Sequence, residues 1–180
     1  MSTKAVREAR TWCRQAESDL RTAQALLGRP EPMTDGDVRC HAAALCAQTV
    51  EKSLKGYAFL NGTEPAMNHR PDKYLSLWLP EGGRLLKHRS HHGHLSKLFD
   101  PGTKGAVRRL LDLTPGGLGN LAGATNTEYP WTEGGEWAKT PCSERGIYEL
   151  DFVKESCATA KRILDTVMKL VVAVERTGAI

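Results

Sequence analysis

The residues best suited to chemistry lie together in one short basic stretch, residues 84–94. This stretch holds four of the six histidines of the chain, together with two arginines and Lys87. A histidine titrates near neutral pH and can therefore exchange a proton with a hydroxyl group such as a ribose 2′-OH. An arginine can hold a phosphate through two parallel hydrogen bonds while negative charge builds on it. The stretch is therefore a candidate site for phosphate chemistry.

Two other interpretations of the same stretch stay open. Its histidines are near enough in sequence to share a zinc ion, with Asp100 as the nearest carboxylate; they are His88, His91, His92 and His94. No zinc-finger spacing is present, so we expect no native structural metal there. A solvated basic loop is the default interpretation, because the helical pattern is poor and Gly93 directly precedes His94.

The composition describes one ordinary globular domain over residues 1–180. The 180 residues are 40% hydrophobic and 26% charged, which suffices to bury a core without disulfides. The five cysteines form no Cys-x-x-Cys pair, which disfavours a disulfide framework and a four-cysteine zinc site. A formal charge of +4 permits contact with nucleic acid but falls short of a dedicated binder.

Several function classes and locations lack their sequence signals. The chain has no P-loop, no dinucleotide fingerprint and no nucleophile elbow. The sequence therefore gives no support for a kinase, dehydrogenase or hydrolase function. No apolar run reaches the roughly 18 residues of a spanning helix, and residues 1–8 carry charges where a secretory signal has its apolar block. We expect a cytoplasmic protein with no membrane contact and no cofactor.

Apolar periodicity predicts the helices that must position these side chains. The four long helices are expected over residues 5–27, 38–60, 103–113 and 151–176, with a short one over 71–78. Residues 114–148 are rich in glycine and proline and predict a long loop packed on the bundle, pinned by Trp131 and Trp137. No strand pattern is predicted. The expected fold is all-α, an up-and-down bundle of four to five helices with this loop before the last helix.

The second predicted helix has a wide stripe of apolar and small residues, which indicates a central helix packed on two sides. We expect the remaining side of this helix to form a solvent-exposed edge, composed of Gln48, Glu51, Lys52 and Lys55. Glu51 and Lys55 have the spacing of a helical ion pair on that edge. Trp12, on the first helix, is predicted to lie in the core, and Asn61-Gly62 to end the second helix in a left-handed cap.

A longer pattern runs along the second helix and its exit. It reads Ala43-x-x-Cys46-Ala47-Gln48-x-x-Glu51-Lys52-x-Leu54-Lys55-Gly56, followed by Asn61-Gly62 and His69. It resembles the central helix of the HEPN family of prokaryotic helical-bundle proteins. Similar elements precede and follow it, namely Trp12 with the run 16–23, Tyr129-Pro130 and the final helix. The chain departs from the family pattern at Glu128, where an arginine is usual, and at Gly56, where an alanine is usual.

The resemblance implies a homodimer of helical bundles from a toxin–antitoxin, antiphage or RNA-processing system. Many relatives cut RNA without metal through an arginine and a histidine spaced R-x(4–6)-H. Here Arg89 and His94 match that spacing, and Arg84 and His91 are the alternative pair. The resemblance also implies a groove that binds RNA or a nucleotide. Its binding residues would be Lys52, Lys55, Lys87 and His69. His69 has a simpler alternative role as a helix cap or in a polar niche.

Three functions therefore stay open. The first is a HEPN-like RNA- or nucleotide-associated module of a bacterial defence or toxin–antitoxin system, as a metal-independent endoribonuclease or without activity. The second is a non-catalytic interaction protein that pairs with a nucleotidyltransferase-type partner. The third is a metal-binding protein that uses the His88–His94 loop.

Overall fold

The computed structural model describes residues 3–28, 35–65, 101–112, 131–133, 136–139 and 148–177. Within these ranges the elements are α1 (Thr3–Leu27), α2 (Asp35–Leu60), α3 (Pro101–Asp112), β1 (Trp131–Glu133), β2 (Glu136–Lys139) and α4 (Leu150–Thr177). The helices pack on one another as a bundle, so the predicted all-α fold is confirmed. The four long helices begin and end within three residues of their predicted positions. The predicted helix over 71–78 lies outside the described residues.

Helices α1 and α2 form an antiparallel hairpin, as expected for an up-and-down bundle. The Thr49 hydroxyl donates to the carbonyl of Ala16 at 3.3 Å, and Gly56, two turns further along α2, lies against Ala9, two turns earlier on α1. A Cβ atom at Gly56 would lie 3.1 Å from the carbonyl oxygen of Ala9 and 3.1 Å from Cys13 Sγ. Glycine at this position therefore lets the two helices approach more closely than alanine would.

Helix α2 is the central helix, as its wide apolar stripe predicts. It contacts α1, α3 and α4, and its large side chains Leu54, Tyr57 and Leu60 are fully buried. Helix α4 supplies the opposing face of the core, a stripe whose members are Val153, Ala160, Ile163, Leu164, Val167, Leu170, Val171 and Val174. The two stripes bury together because each helix presents its apolar residues at spacings of three and four.

The end of α2 is fixed by a complete Schellman cap. Gly62 adopts φ 74°, the left-handed conformation predicted for it. The Gly62 amide donates to the carbonyl of Phe59 at 3.0 Å, and the Thr63 amide donates to that of Ala58 at 2.9 Å. These two bonds satisfy carbonyls that the last turn of a helix otherwise leaves open. The cap fixes the direction in which the chain leaves α2.

A small hairpin corrects the expectation that no strand occurs. Strands β1 and β2 pair antiparallel, with Thr132 opposite Trp137 and an irregularity in register next to Trp131. Strands of three and four residues are too short for a period-2 pattern to be recognised. The sequence nevertheless has Gly134-Gly135 between them, which is a known hairpin signal. The bundle itself stays all-α.

None of the helices that the structure describes is long and apolar enough to cross a membrane.

Candidate functional site on the first two helices

The structure describes only part of the predicted site. Lys52 and Lys55 lie on α2, whereas the other predicted site residues lie outside the described residues. Those are His69, Arg84, Lys87, Arg89, His91 and His94, and the histidines of the proposed zinc alternative lie there as well. The described site is therefore built around the two lysines and the face of α1 that they meet.

Lys55 and Glu51 form a buried ion pair, which corrects the expectation of a solvent-exposed edge. Lys55 Nζ lies 2.6 Å from Glu51 Oε1, and the two side chains are only 6% and 3% exposed. The ammonium group also lies 5.0 Å from the centre of the Trp12 ring, within range of a cation–π contact. The predicted i,i+4 pair exists, but it is buried and lies beside Trp12 of α1.

Lys52 joins the two helices through a second ion pair. Its Nζ lies 2.5 Å from Asp19 Oδ2 on α1 and 3.3 Å from Gln48 Oε1 on its own helix. Gln15 donates to the other oxygen of Asp19 at 3.1 Å. The Lys52 side chain is 20% exposed and that of Asp19 is 9% exposed, so this pair lies at the edge of the helix interface. Together the residues Trp12, Gln15, Asp19, Gln48, Glu51, Lys52 and Lys55 are here called the α1–α2 polar network.

This network bridges α1 to the family-like run on α2 and balances its own charge. The ammonium groups of Lys52 and Lys55 each meet one carboxylate, from Asp19 and Glu51 respectively. A phosphate bound at Lys52 would have to share that lysine with Asp19 or displace it. The arrangement is suited to holding two helices in register, because buried charges remain stable only when they are paired.

A pocket of about 430 Å³ opens beside the network, where α1 begins and α2 ends. Its volume falls in the range of small-molecule sites. Its walls combine two aromatic rings with charges of both signs, and they are formed by Lys4, Ala5, Glu8, Trp12, Phe59, Gly62, Glu64 and Pro65. Trp12 is only half-buried. The prediction that this tryptophan lies in the core is therefore wrong, because its side chain lines the pocket as well as contacting Lys55.

Burial shifts the pKa values of two groups on α1 and α2, Cys13 and Tyr57. Burial raises the pKa of the Cys13 thiol to about 12, so this sulfur stays protonated at neutral pH. Desolvation likewise raises the pKa of Tyr57 above its ordinary value, although a hydrogen bond with the Asn61 side chain acts in the opposite direction. Neither group is poised for proton transfer near pH 7. Among the described residues no group of histidine, cysteine and carboxylate side chains is arranged to hold a metal ion.

Comparison with known protein families, curated proteins and solved structures gives a plain result. None of them matches this chain. The resemblance to the HEPN family therefore rests on the motif residues of the sequence alone.

Sequence reasoning missed the α1 half of the network. Asp19 and Gln15 belong to a helix face that looks solvated, and nothing in their spacing names Lys52 as a partner. The burial of Glu51 and Lys55 had a readable signal: Ala47 and Ala58 lie one turn before and one turn after the pair on the same face. Small residues on both sides of a charged pair indicate that another helix passes close to it.

Proposed function

We propose that this chain is a HEPN-like RNA- or nucleotide-associated module of a bacterial defence or toxin–antitoxin system. The observation that carries the proposal is the contact between the two segments that resemble the family. The run 43–56 on α2 meets the run 12–23 on α1 through the Lys52–Asp19 pair and the Lys55–Trp12 contact. Two separate motif segments thus form one structural unit within an all-α bundle.

The proposed activity is metal-independent cleavage of RNA by Arg89 and His94. His94 would accept the proton of a ribose 2′-OH, whose oxygen then attacks the adjacent phosphorus and displaces the 5′-oxygen, which takes a proton from water. Arg89 would hold the phosphate and stabilise the charge that develops on it. The products would be a 2′,3′-cyclic phosphate and a free 5′-hydroxyl. Arg84 and His91 are the alternative pair for the same chemistry.

A cleavage assay with four proteins tests this activity. Wild type should cut RNA but not DNA in the presence of a chelator, and its product should carry the cyclic phosphate. His94→Ala should abolish cleavage and leave RNA binding nearly intact, whereas Arg89→Ala should weaken both. His91→Ala serves as the control for the alternative spacing. Full cleavage by His94→Ala, or none by wild type on structured and unstructured RNA, would rule out this assignment.

The charge balance of the α1–α2 polar network favours a second candidate, a non-catalytic interaction protein. Both predicted phosphate-binding lysines of α2 already pair with carboxylates. In this candidate they hold the bundle in shape, and the partner is of the nucleotidyltransferase type. Co-purification from the native host, with the identity of the adjacent gene, distinguishes the two functions. Metal analysis of the purified chain tests the third candidate, zinc binding by the His88–His94 loop.

The homodimer that the resemblance implies is part of the same proposal. One chain has a mass of 19.8 kDa. Light scattering at micromolar concentration should give twice that mass. A mass of one chain at that concentration would contradict the homodimer.

A further inference from the structure

Two buried thiols from different helices meet inside the bundle. Cys46 lies in the middle of α2 and Cys157 lies near the start of α4, and their Sγ atoms are 3.0 Å apart. A hydrogen bond joins the two thiols. A disulfide bond is about 2 Å long, so a shift of about 1 Å would bring the sulfurs to bonding distance. No role in the proposed function uses this pair.

The two thiols differ in reactivity because their surroundings differ. Cys46 is fully buried, whereas Cys157 is 7% exposed and is therefore the more accessible residue of the pair. The hydrogen bond with Cys46 lowers the pKa of Cys157, although burial acts in the opposite direction, and the same hydrogen bond together with burial raises the pKa of Cys46. Because the thiolate is the reactive form, Cys157 is the nucleophile and Cys46 is the second thiol.

We propose that Cys46 and Cys157 form a redox-modification site at which a hydroperoxide converts the two thiols into a reversible disulfide between α2 and α4. The Cys157 sulfur attacks one peroxide oxygen, the O–O bond breaks, and a sulfenic acid and water (or an alcohol) form. The Cys46 sulfur then attacks Cys157, the S–O bond breaks, and a second water leaves. The two thiols together lose two electrons, which the peroxide accepts. A reducing dithiol returns both thiols.

The other two described cysteines outside the pair, Cys13 and Cys40, are less exposed than Cys157. Cys13 is fully buried, and burial raises its pKa to about 12, so it offers neither access nor thiolate. Cys40 is 1% exposed. The disulfide would close a loop that contains all of the chain between α2 and α4, including the basic stretch 84–94. Closing a loop of this length restricts the unfolded chain and should raise the melting temperature by about 10 °C or more.

Peptide mapping of the unaltered full chain tests the proposal without any variant that could fail to fold. The reduced protein is treated with hydrogen peroxide, free thiols are blocked with N-ethylmaleimide, and the chain is cut with trypsin. The expected product joins peptide 40–52 to peptide 155–161, and fragmentation should place the bond on Cys46 rather than Cys40. Dithiothreitol should release both peptides. The oxidised protein should melt at the higher temperature, and Cys13→Ala should form the same link.

Four outcomes would overturn the proposal. The first is a bond from Cys157 to Cys40 or to Cys142. The second is over-oxidation of Cys157 while Cys46 stays a thiol. The third is five unmodified cysteines at a peroxide dose that fully oxidises free cysteine. The fourth is a Cys46–Cys157 bond that forms only in denaturant, since the site depends on the folded contact between α2 and α4.

Discussion

Replacing Lys55 with methionine measures how much the buried ion pair constrains the α1–α2 interface. Methionine keeps an unbranched apolar stem against Trp12 but removes the ammonium that lies 2.6 Å from Glu51. Both side chains are almost inaccessible, at 6% and 3% exposed, so water cannot replace the lost partner well. Removing one member of a buried pair typically costs about 3–5 kcal/mol. For a chain of this size that corresponds to a fall in melting temperature of roughly 6–20 °C.

The matched control is a pair of the same length on the protein surface. Lys161 Nζ lies 2.6 Å from Asp165 Oδ2 on α4 with the same i,i+4 spacing, but these side chains are 56% and 48% exposed. Lys161→Met should therefore cost only about 0.5 kcal/mol or less. The double variant Glu51→Gln/Lys55→Met should recover most of the loss, because it also removes the buried charge that Lys55 balances. Circular dichroism during heating and urea unfolding both report the difference. Equal destabilisation by Lys55→Met and Lys161→Met would refute the reasoning.

Three further predictions concern backbone packing and buried thiols. Gly56→Ala should destabilise the bundle by about 1–3 kcal/mol because the new Cβ forces α1 and α2 apart, whereas Gly105→Ala, whose nearest neighbour would lie at 3.9 Å, should stabilise by about 0.5–1 kcal/mol. Urea unfolding compares them, and a gain in stability at Gly56 would contradict the close crossing. Gly62→Ala should cost about 1 kcal/mol because Gly62 has a φ of 74°, which alanine rarely adopts. Its loss of melting temperature should exceed that of Gly28→Ala, where no positive φ occurs, and equal losses would exclude strain as the cause. The raised pKa of Cys13 means that the unfolded chain loses this proton first, so unfolding free energy should fall between pH 9 and about 12. Cys13→Ala should reduce that slope by about 1.4 kcal/mol per pH unit, and an unchanged slope in alkaline urea titrations would show that this thiol does not contribute.

Patterns of residues within each helix were sufficient to predict the helices from the sequence. The stripe of α1, the Gly62 cap and the apolar face of α4 all follow from contacts within one helix or one turn. The apolar residues of a stripe recur every three or four positions, and a cap is marked by its own residues. Both can therefore be recognised without any knowledge of what lies opposite. The breadth of the α2 stripe also sufficed to place that helix at the centre. The β1–β2 hairpin was missed because its strands are too short to show a period.

Only the tertiary structure decided what the charged residues of α2 do. The spacing of Glu51 and Lys55 predicts an ion pair, but it does not say whether water or another helix lies beside that pair. Gly56 brings α1 close, and this approach buries the pair against Trp12 and brings Asp19 to Lys52. Cys46 and Cys157 are separated by more than a hundred residues, and no pattern along the chain links them. Contacts of this kind depend on how whole helices cross, and a helix carries the signal for its own periodicity but not for its partner's position.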